Sequence, residues 1–322
     1  MTAAGEKTFC HAALQFQLAP HTLPNEVQAP PLLPLARGES LTLGQYSAFL
    51  ARLRTGESPL VAVADSLMRT LALPANHPLR IAAVTLAARA TQDEKAPYHN
   101  HHHTLDVLSS MWRLSTTNAE GLERNDVAVG VLSALAHDLG YDLSVPANQR
   151  EEASLKLAES LTATFLPSED WERLQAMVRG TAPVAYSHVK VAYQQLGAPD
   201  GDTGEQRAQR LTALLVRADL ASSTAVNEPL NRQMSHLLAE EQGNTELASP
   251  AGRLAFVANH GPYTNAEEEL GLDQSHVRVV CDLRALQEPE IAGLEAPDLR
   301  VPSRLSSNLA AAMTAAGIPE IS

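Results

Sequence analysis

The amino-acid sequence predicts an all-α protein built as a helical bundle. From residue 41 onward, apolar residues recur mostly at intervals of three and four, which places them on one face of a helix. Alternation of apolar and polar residues, typical of half-buried strands, is scarce. Breakers such as the Gly-Ala-Pro-Asp-Gly stretch at 197–201 separate the periodic segments. We therefore expect helices joined by loops and no extensive sheet.

The expected elements follow one another along the chain. An irregular N-terminal arm is expected over 1–40, because its prolines fix φ and remove backbone donors. Residues 41–322 are expected to form one domain that ends in a proline-containing stretch, 288–302, and a peripheral alanine-rich helix around 304–316. Before that tail, the periodicity predicts helices over 58–73, 77–91, 97–114, 126–140, 150–166, 169–182, 204–223, 251–261 and 266–287.

Composition argues against several classes of protein. The chain has 24 Lys and Arg against 37 Asp and Glu, a formal net charge of -13, and no evident basic patch, so nucleic acid and anionic membranes are not expected partners. The two cysteines, Cys10 and Cys281, are too few for a disulfide framework and favour a reducing compartment. The first 20 residues have neither the basic region nor the unbroken apolar region of a signal peptide, and no later segment has a run of roughly 20 apolar residues, so neither a signal peptide nor a membrane span is expected. We expect a soluble, cytoplasmic protein that acts on a small molecule, and its oligomeric state is left open.

The histidine-rich segment near residue 100 is the most informative part of the chain. If a helix begins near Pro97, His99 and His103 are four residues apart (103 − 99 = 4) and share one helix face. Both imidazoles can then point into one cleft. His101 and His102 are expected to be solvated or structural rather than ligands.

Two later segments add carboxylates that can meet the histidines. His137 and Asp138 end the helix predicted over 126–140, where Gly140 lets the backbone turn. Asp219 closes an apolar helix, where an ionised carboxylate is costly unless a cation neutralises it. Two imidazoles and two carboxylates suit a divalent metal such as Zn, Mn, Fe or Mg, with coordination positions left for water, as hydrolysis requires.

The same motifs resemble a known family. Residues 98–107 read Y-H-N-H-H-H-T-L-D-V, which is similar to the HD-domain metal-dependent phosphohydrolases and most similar to the class I 3',5'-cyclic nucleotide phosphodiesterases, whose pattern is Y-H-N-x-x-H-A-x-D-V. His137 and Asp138 match the HD pair of that family at a suitable distance from His103 (137 − 103 = 34). The stretch around Asp219 resembles A-D-L-S-N-P-T, and residues 255–263 resemble F-I-D-x-I-V-x-P-L-Y more loosely. The resemblance covers roughly residues 41–287.

This resemblance implies roles for the candidate site residues. His103, His137, Asp138 and Asp219 would bind the catalytic metal, and Asp138 would bridge to a second ion if two are bound. A metal-activated water would attack phosphorus while His99, as the general acid, protonates the leaving oxygen. The fold implied is the HD-type, phosphodiesterase-like helical bundle.

Further positions are implied to line the substrate pocket or to support the ligands. The family reads H-D-x-x-H-P-G where this chain has Tyr141 at the second histidine, so the number of ions, one or two, stays open. Arg253 stands at the position of a purine-selecting glutamine and hints at a substrate with an additional anion. Expected substrate contacts are Tyr98, His188, Arg253, Phe256 and Tyr263. Expected supporting residues behind the ligands are Asn100, Asp106 and Glu152, with Glu151 as the alternative to Glu152.

Three functions are compatible with these ligands. The first is hydrolysis of a phosphoester, on a substrate that resembles a nucleotide. The second is an HD-type di-iron oxygenase, against which stands the lack of a further histidine between Asp138 and His188. The third is a non-catalytic, metal-stabilised nucleotide sensor, in which His99 would have no task. We therefore expect a metal-dependent phosphohydrolase.

Overall fold

The computed structural model describes residues 60–93 and 96–291, together with the separate positions 44, 47, 48, 50 and 51, and gives no side-chain surroundings beyond residue 287. All regular elements within these described ranges are helices, so the predicted all-α class is confirmed. The arm predicted over 1–40, its boundary with the domain and the helix predicted around 304–316 lie outside the described residues.

Twelve α-helices make up the described part of the chain. They are α1 (Leu60–Thr70), α2 (Pro78–Ala90), α3 (His101–Ser115), α4 (Arg124–Ala136), α5 (Arg150–Thr162), α6 (Ser168–Gly180), α7 (Tyr186–Gln194), α8 (Gly204–Thr224), α9 (Glu228–Gln242), α10 (Pro250–Asn259), α11 (Asn265–Glu269) and α12 (Leu272–Ile291). Short 3-10 turns lie at Ala147–Gln149, Pro183–Ala185 and Thr245–Ala248. None of these helices combines the length and apolarity needed to cross a bilayer.

Helices α3, α4 and α8 form the centre of the bundle. Helix α8 packs against α3, α4, α6, α7, α9 and α10. Every residue of α3 from His103 onward is buried, as is every residue of α4 from Asp126 onward. A helix covered on all sides is an interior helix, so the polar side chains that α3 and α8 carry must find partners inside the protein.

Helix boundaries differ from the sequence-based expectation near the candidate ligands. Helix α3 begins at His101 rather than near Pro97, because the Asn100 side chain caps it and accepts the backbone N–H of His102 at 2.9 Å. His99 therefore precedes the helix and does not share a helical face with His103. Asp219 lies within α8 rather than at its end, because the buried residues that follow it continue the helix to Thr224.

Three further differences concern helices that the periodicity does not predict correctly. Helices α7 and α9 are absent from the predicted set. The single helix predicted over 266–287 is two helices, α11 and α12, because Gly271 adopts a left-handed conformation with φ 68° and ends the first of them. Helix α9 matters for the site, since it carries a glutamate that contacts His99.

Candidate metal centre

Four predicted ligands meet at one place although they come from three parts of the chain. His103, His137, Asp138 and Asp219 each offer one ligand atom, and these atoms all lie within 4.8 Å of one another. Both imidazoles are buried, whereas the side chains of Asp138 and Asp219 are 20% and 16% exposed. The cluster is therefore accessible from its carboxylate side.

The distances within this cluster suit a single cation. The Nε2 atoms of His103 and His137 are 3.4 Å apart. Asp138 Oδ2 lies 3.5 and 3.1 Å from these two nitrogens, and Asp219 Oδ1 lies 3.1 and 3.9 Å from them. Nitrogen and oxygen ligands about 2.0–2.2 Å from a zinc ion are themselves roughly 3–3.5 Å apart. The His137 Nδ1–H donates to the Ala134 carbonyl at 2.9 Å, which leaves the Nε2 lone pair for a metal.

The electrostatics of the cluster also favour a bound cation. Burial by itself lowers the pKa of His103, but Tyr98 and the two carboxylates outweigh burial, so this pKa lies well above its usual value. Burial also lowers the pKa of His137, but the negative charges around it, chiefly that of Asp138, outweigh burial and raise this pKa above its usual value. Burial raises the pKa of Asp138, but the neighbouring histidines outweigh it and hold this pKa well below its usual range. The carboxylates thus draw positive charge into the cluster, and a divalent cation would supply that charge in place of protons.

His99 lies beside the cluster and is held by Glu241 of α9. Its Nδ1 contacts one carboxylate oxygen of Glu241, and the other oxygen accepts the backbone N–H groups of Tyr98 and His99, each at 2.9 Å. Burial raises the pKa of Glu241, but the bonds from His99 outweigh burial and lower it. The second ring nitrogen of His99, Nε2, lies 3.9 Å from Asp138 Oδ2. One nitrogen is therefore fixed to a carboxylate while the other faces the His/Asp cluster.

Glu241 is a site residue that the sequence-based reasoning missed. It lies on α9, whose start is marked by the Asn227 cap, which accepts the Leu230 N–H at 3.2 Å. Leu230, Met234 and Glu241 are all buried, at spacings of four and seven residues, so they share one face of this helix. A carboxylate at a core-facing position needs a partner, and this pattern is the signal that could have identified it.

Tyr186 and His260 flank the cluster on the side of Asp219. The Tyr186 hydroxyl donates to Asp219 Oδ2 at 3.3 Å, and burial, followed by Asp219, raises the pKa of this phenol well above its usual value. The His260 ring meets Tyr186 edge to face, with 5.9 Å between ring centres. His260 also packs on Phe256 at 4.5 Å, and its Nδ1–H donates to the Phe256 carbonyl at 2.7 Å. Phe256, an expected substrate contact, is thus linked to the cluster through His260 and Tyr186.

Lys190 is a cationic side chain near the Asp219 side of the cluster. It lies one helical turn after Tyr186 on α7, so the two side chains leave the same face of the helix. Its ammonium lies 5.6 Å from the centre of the Tyr263 ring, and the Arg217 guanidinium lies 5.5 Å from the same ring. Arg217 is paired with Glu267 at 2.6 Å, whereas no carboxylate of the described chain lies within ion-pair distance of Lys190. Burial, followed by Arg217, lowers the pKa of Lys190.

Arg253 is engaged by the protein itself. Its side chain is 3% exposed, its Nε donates to Asn231 Oδ1 at 2.8 Å, and its Nη2 donates to Glu228 Oε1 at 2.7 Å. A buried guanidinium needs such partners, because leaving its charge unpaired is costly. The structure therefore ties Arg253 to α9 and does not present it as a free cation for a substrate.

Two other expected substrate contacts differ in their surroundings. Tyr98 is buried, with its ring centre 4.8 Å from those of both His99 and His103 and its hydroxyl 3.1 Å from Ser223 Oγ. Its position is that of a packing residue behind the two histidines. His188 lies exposed on α7, and its contact with substrate stays a prediction.

The residues expected to support the ligands differ in their surroundings. Asn100 caps α3 and accepts the backbone N–H of His103 at 3.4 Å, so it contacts a candidate ligand through the backbone. Asp106 is buried in α3, one turn after His103. Glu152 is exposed and pairs with Arg179 on α6. The pKa of the alternative residue, Glu151, is raised by burial and, to a smaller extent, by the negative charge of Asp138.

Comparison with known proteins identifies the fold. No protein-family model and no curated protein matches the chain. The phosphodiesterase domain of the RhoPDE fusion protein from the choanoflagellate Salpingoeca rosetta matches with a TM-score of 0.55 and 15% identity, over 80% of this chain and 95% of that one. Another structure, the phosphodiesterase domain of Salpingoeca rosetta rhodopsin phosphodiesterase, matches with a TM-score of 0.57 and 16% identity, over 80% and 92%. LmjPDEB1 in complex with IBMX matches with a TM-score of 0.54 and 16% identity, over 76% and 91%.

The chain therefore has the all-helical fold of phosphodiesterase domains. Within that fold it carries a His/Asp cluster that can hold a divalent metal. At these identities the likeness establishes the fold.

Proposed function

We propose that this chain is a metal-dependent phosphohydrolase that cleaves a phosphoester as a cyclic-nucleotide phosphodiesterase does. The observation that carries this proposal is the position of His99, whose Nε2 lies 3.9 Å from Asp138 Oδ2 while Glu241 holds Nδ1. A proton donor beside side chains that can bind a metal is the arrangement that hydrolysis of an unactivated ester needs. The likeness in fold to phosphodiesterase domains supports the same reaction.

The ligand cluster would provide the metal chemistry. His103, His137, Asp138 and Asp219 would hold a divalent ion, for which Zn, Mn, Fe and Mg are the candidates. Such an ion, when bound, polarises a phosphoryl oxygen and lowers the pKa of water towards about 7. The partly exposed side chains of Asp138 and Asp219 leave an approach for the substrate on one side, while the buried imidazoles close the other.

His99 is proposed to donate a proton to the leaving oxygen of the ester. Glu241 accepts from Nδ1–H, so the doubly protonated ring has only Nε2–H left to donate, and this atom faces the cluster. The carboxylate of Glu241 stabilises the imidazolium and fixes the ring orientation. Proton donation of this kind typically contributes about 10²- to 10⁴-fold to the rate.

The proposed substrate carries a second anionic group beside the ester. Arg253, which suggested such a group from the sequence, already has Glu228 and Asn231 as partners. Lys190 is a better candidate for binding this second anion. It is half-buried, has no carboxylate partner among the described residues, and projects from the same face of α7 as Tyr186. A nucleotide with more than one phosphate, or a phosphoester with a carboxylate, has this charge pattern.

Metal analysis combined with ester hydrolysis tests the proposed reaction. Wild type, His99→Ala and Asp138→Ala would be compared on cyclic nucleotides, diphenyl phosphate and bis-p-nitrophenyl phosphate, with the exposed histidine variant His236→Ala as the matched control. We expect Asp138→Ala to lose metal and activity. His99→Ala should keep its metal and lose about 10²-fold or more on esters with a basic leaving group. The control should behave as wild type.

Two results would contradict the proposal. One is a metal-loaded wild type that hydrolyses none of these esters, and the other is a His99→Ala variant as active as wild type. Iron-dependent consumption of O2 by the metal-loaded protein would instead favour the di-iron oxygenase. Bound metal without any turnover of ester or O2 would favour the non-catalytic sensor.

A further inference from the structure

Tyr141 lies flat against the ring of His99. The two ring centres are 4.1 Å apart and the ring planes differ by 18°, which is a stacked arrangement. The tyrosine follows the Asp138 ligand by three residues, in the turn that Gly140 makes possible with φ 71°. The general acid of the proposed reaction thus has a carboxylate at its edge and a phenol ring on its face.

Tyr141 is itself fixed from its far end. The first residue of α5, Arg150, donates from Nη1 to the Tyr141 hydroxyl at 2.8 Å. Arg150 also donates from Nε to the Val145 carbonyl at 3.2 Å, so the guanidinium links the phenol to its own loop. The hydroxyl of Tyr141 therefore has a partner in the protein, and the ring is held in one orientation.

We propose that Tyr141 is a positioning residue for His99. Glu241 fixes where Nδ1 lies but leaves the ring free to tilt about that bond, because a single hydrogen bond does not define a plane. Stacking on Tyr141 defines the plane, so the two contacts together direct Nε2 towards the open side of the metal ligands. Misplacing a reacting group by about 1 Å can cost on the order of 10²-fold in rate. This inference rests on the proposed function.

Leaving-group dependence separates a positioning role from a merely structural one. A p-nitrophenolate leaving group departs with little need for protonation. Phenolate is more basic, so its departure depends more on a proton donor. We expect Tyr141→Leu to lower kcat about 10-fold or more on diphenyl phosphate and less than about 3-fold on bis-p-nitrophenyl phosphate, with KM and metal content unchanged. Tyr141→Phe keeps the stacking face and loses only the hydroxyl bond to Arg150, so as the conservative control it should lower kcat by less than Tyr141→Leu does, by no more than about 3-fold.

A double variant gives a second, independent result. If Tyr141 acts through His99, adding Tyr141→Leu to His99→Ala should slow the reaction no further, because the group it positions is gone. Equal losses on both esters from Tyr141→Leu, or losses that multiply in the double variant, would overturn the positioning role. If His99→Ala itself leaves both esters unaffected, the proposed function fails instead.

NMR spectroscopy of the imidazole tests the same geometry without any activity. A ring stacked on a phenol experiences the ring current of that phenol, so the His99 C–H protons should resonate upfield of their usual positions. Tyr141→Phe should retain this upfield shift and Tyr141→Leu should lose it. A folded Tyr141→Phe protein that lacks the upfield shift would contradict the stacked arrangement whether or not Tyr141→Leu folds.

Discussion

Glu241 binds His99 twice, once through the imidazole Nδ1 and once through the backbone N–H at 2.9 Å. The two residues are 142 positions apart in the chain. Holding both the ring and the backbone of His99, the proposed proton donor, restricts its side-chain rotation before any substrate arrives. Preorganisation of this kind avoids the cost of ordering the group during the reaction.

Glu241→Gln should therefore impair catalysis without removing the metal. The amide can still occupy the position, but it cannot stabilise an imidazolium by charge. We expect kcat on esters with basic leaving groups to fall roughly 10-fold or more, with metal content unchanged. Glu240→Gln, at the exposed neighbouring position of α9, is the matched control and should keep full activity. A Glu241→Gln variant with wild-type kcat would show that the contact is not used.

Metal binding should stabilise the folded protein. A ligand that binds only the folded state at 100 times its Kd adds about 2.7 kcal/mol to the free energy of unfolding. We expect the Tm of the wild type to rise when Zn or Mn is added to chelator-treated protein. Asp219→Asn removes one of the two carboxylate charges in the cluster and should abolish most of that rise, whereas the exposed-site variant Asp200→Asn should retain it. Equal increases in Tm for all three proteins would show that the metal does not bind at Asp219.

Lys190→Gln should change substrate selection rather than turnover. If the ammonium binds a second anion, KM for an ester that carries such an anion should rise about 10-fold, because a charge-assisted hydrogen bond is worth about 1.5–3 kcal/mol. KM for bis-p-nitrophenyl phosphate, which lacks the second anion, should stay the same. Lys156→Gln, an exposed lysine variant on α5, provides the control. The same change in KM for both esters would count against anion selection by Lys190.

His276 should make the folded protein less stable in mild acid. It is buried on α12, and burial, followed by the positive charge of Arg217, lowers its pKa to about 4. The unfolded chain, with a pKa near 6.5, binds the proton more readily, so stability is lost as the pH falls below about 6.5. Between pH 7 and pH 5 this residue alone should cost about 2 kcal/mol.

Urea unfolding at those two pH values measures that contribution. The free energy of unfolding should fall less between pH 7 and pH 5 in His276→Gln than in wild type, since the titrating group is gone. An exposed histidine variant, His188→Gln, should keep the wild-type pH dependence of stability. Identical pH dependence in His276→Gln and wild type would mean that His276 is not the group responsible.

Much of the helical framework follows from local pattern. Segments such as those of α2 and α8 have apolar residues at helical intervals, and this periodicity is a property of each segment alone. Helix α9 is harder to predict, since polar residues separate its few apolar ones and its burial comes from packing against α8, α10 and α12. The break between α11 and α12 depends on one glycine at positive φ, which sequence periodicity does not register.

The sequence by itself determined the helical class and the four residues of the His/Asp cluster, because helical spacing and the types of side chain that can bind a metal are properties of short segments. Only the tertiary structure decided which groups surround them. Glu241 reaches His99, Tyr141 stacks on its ring, and Arg253 is paired with Glu228, because distant helices pack side by side. Contacts between residues far apart in the chain depend on that packing, and no local pattern specifies them.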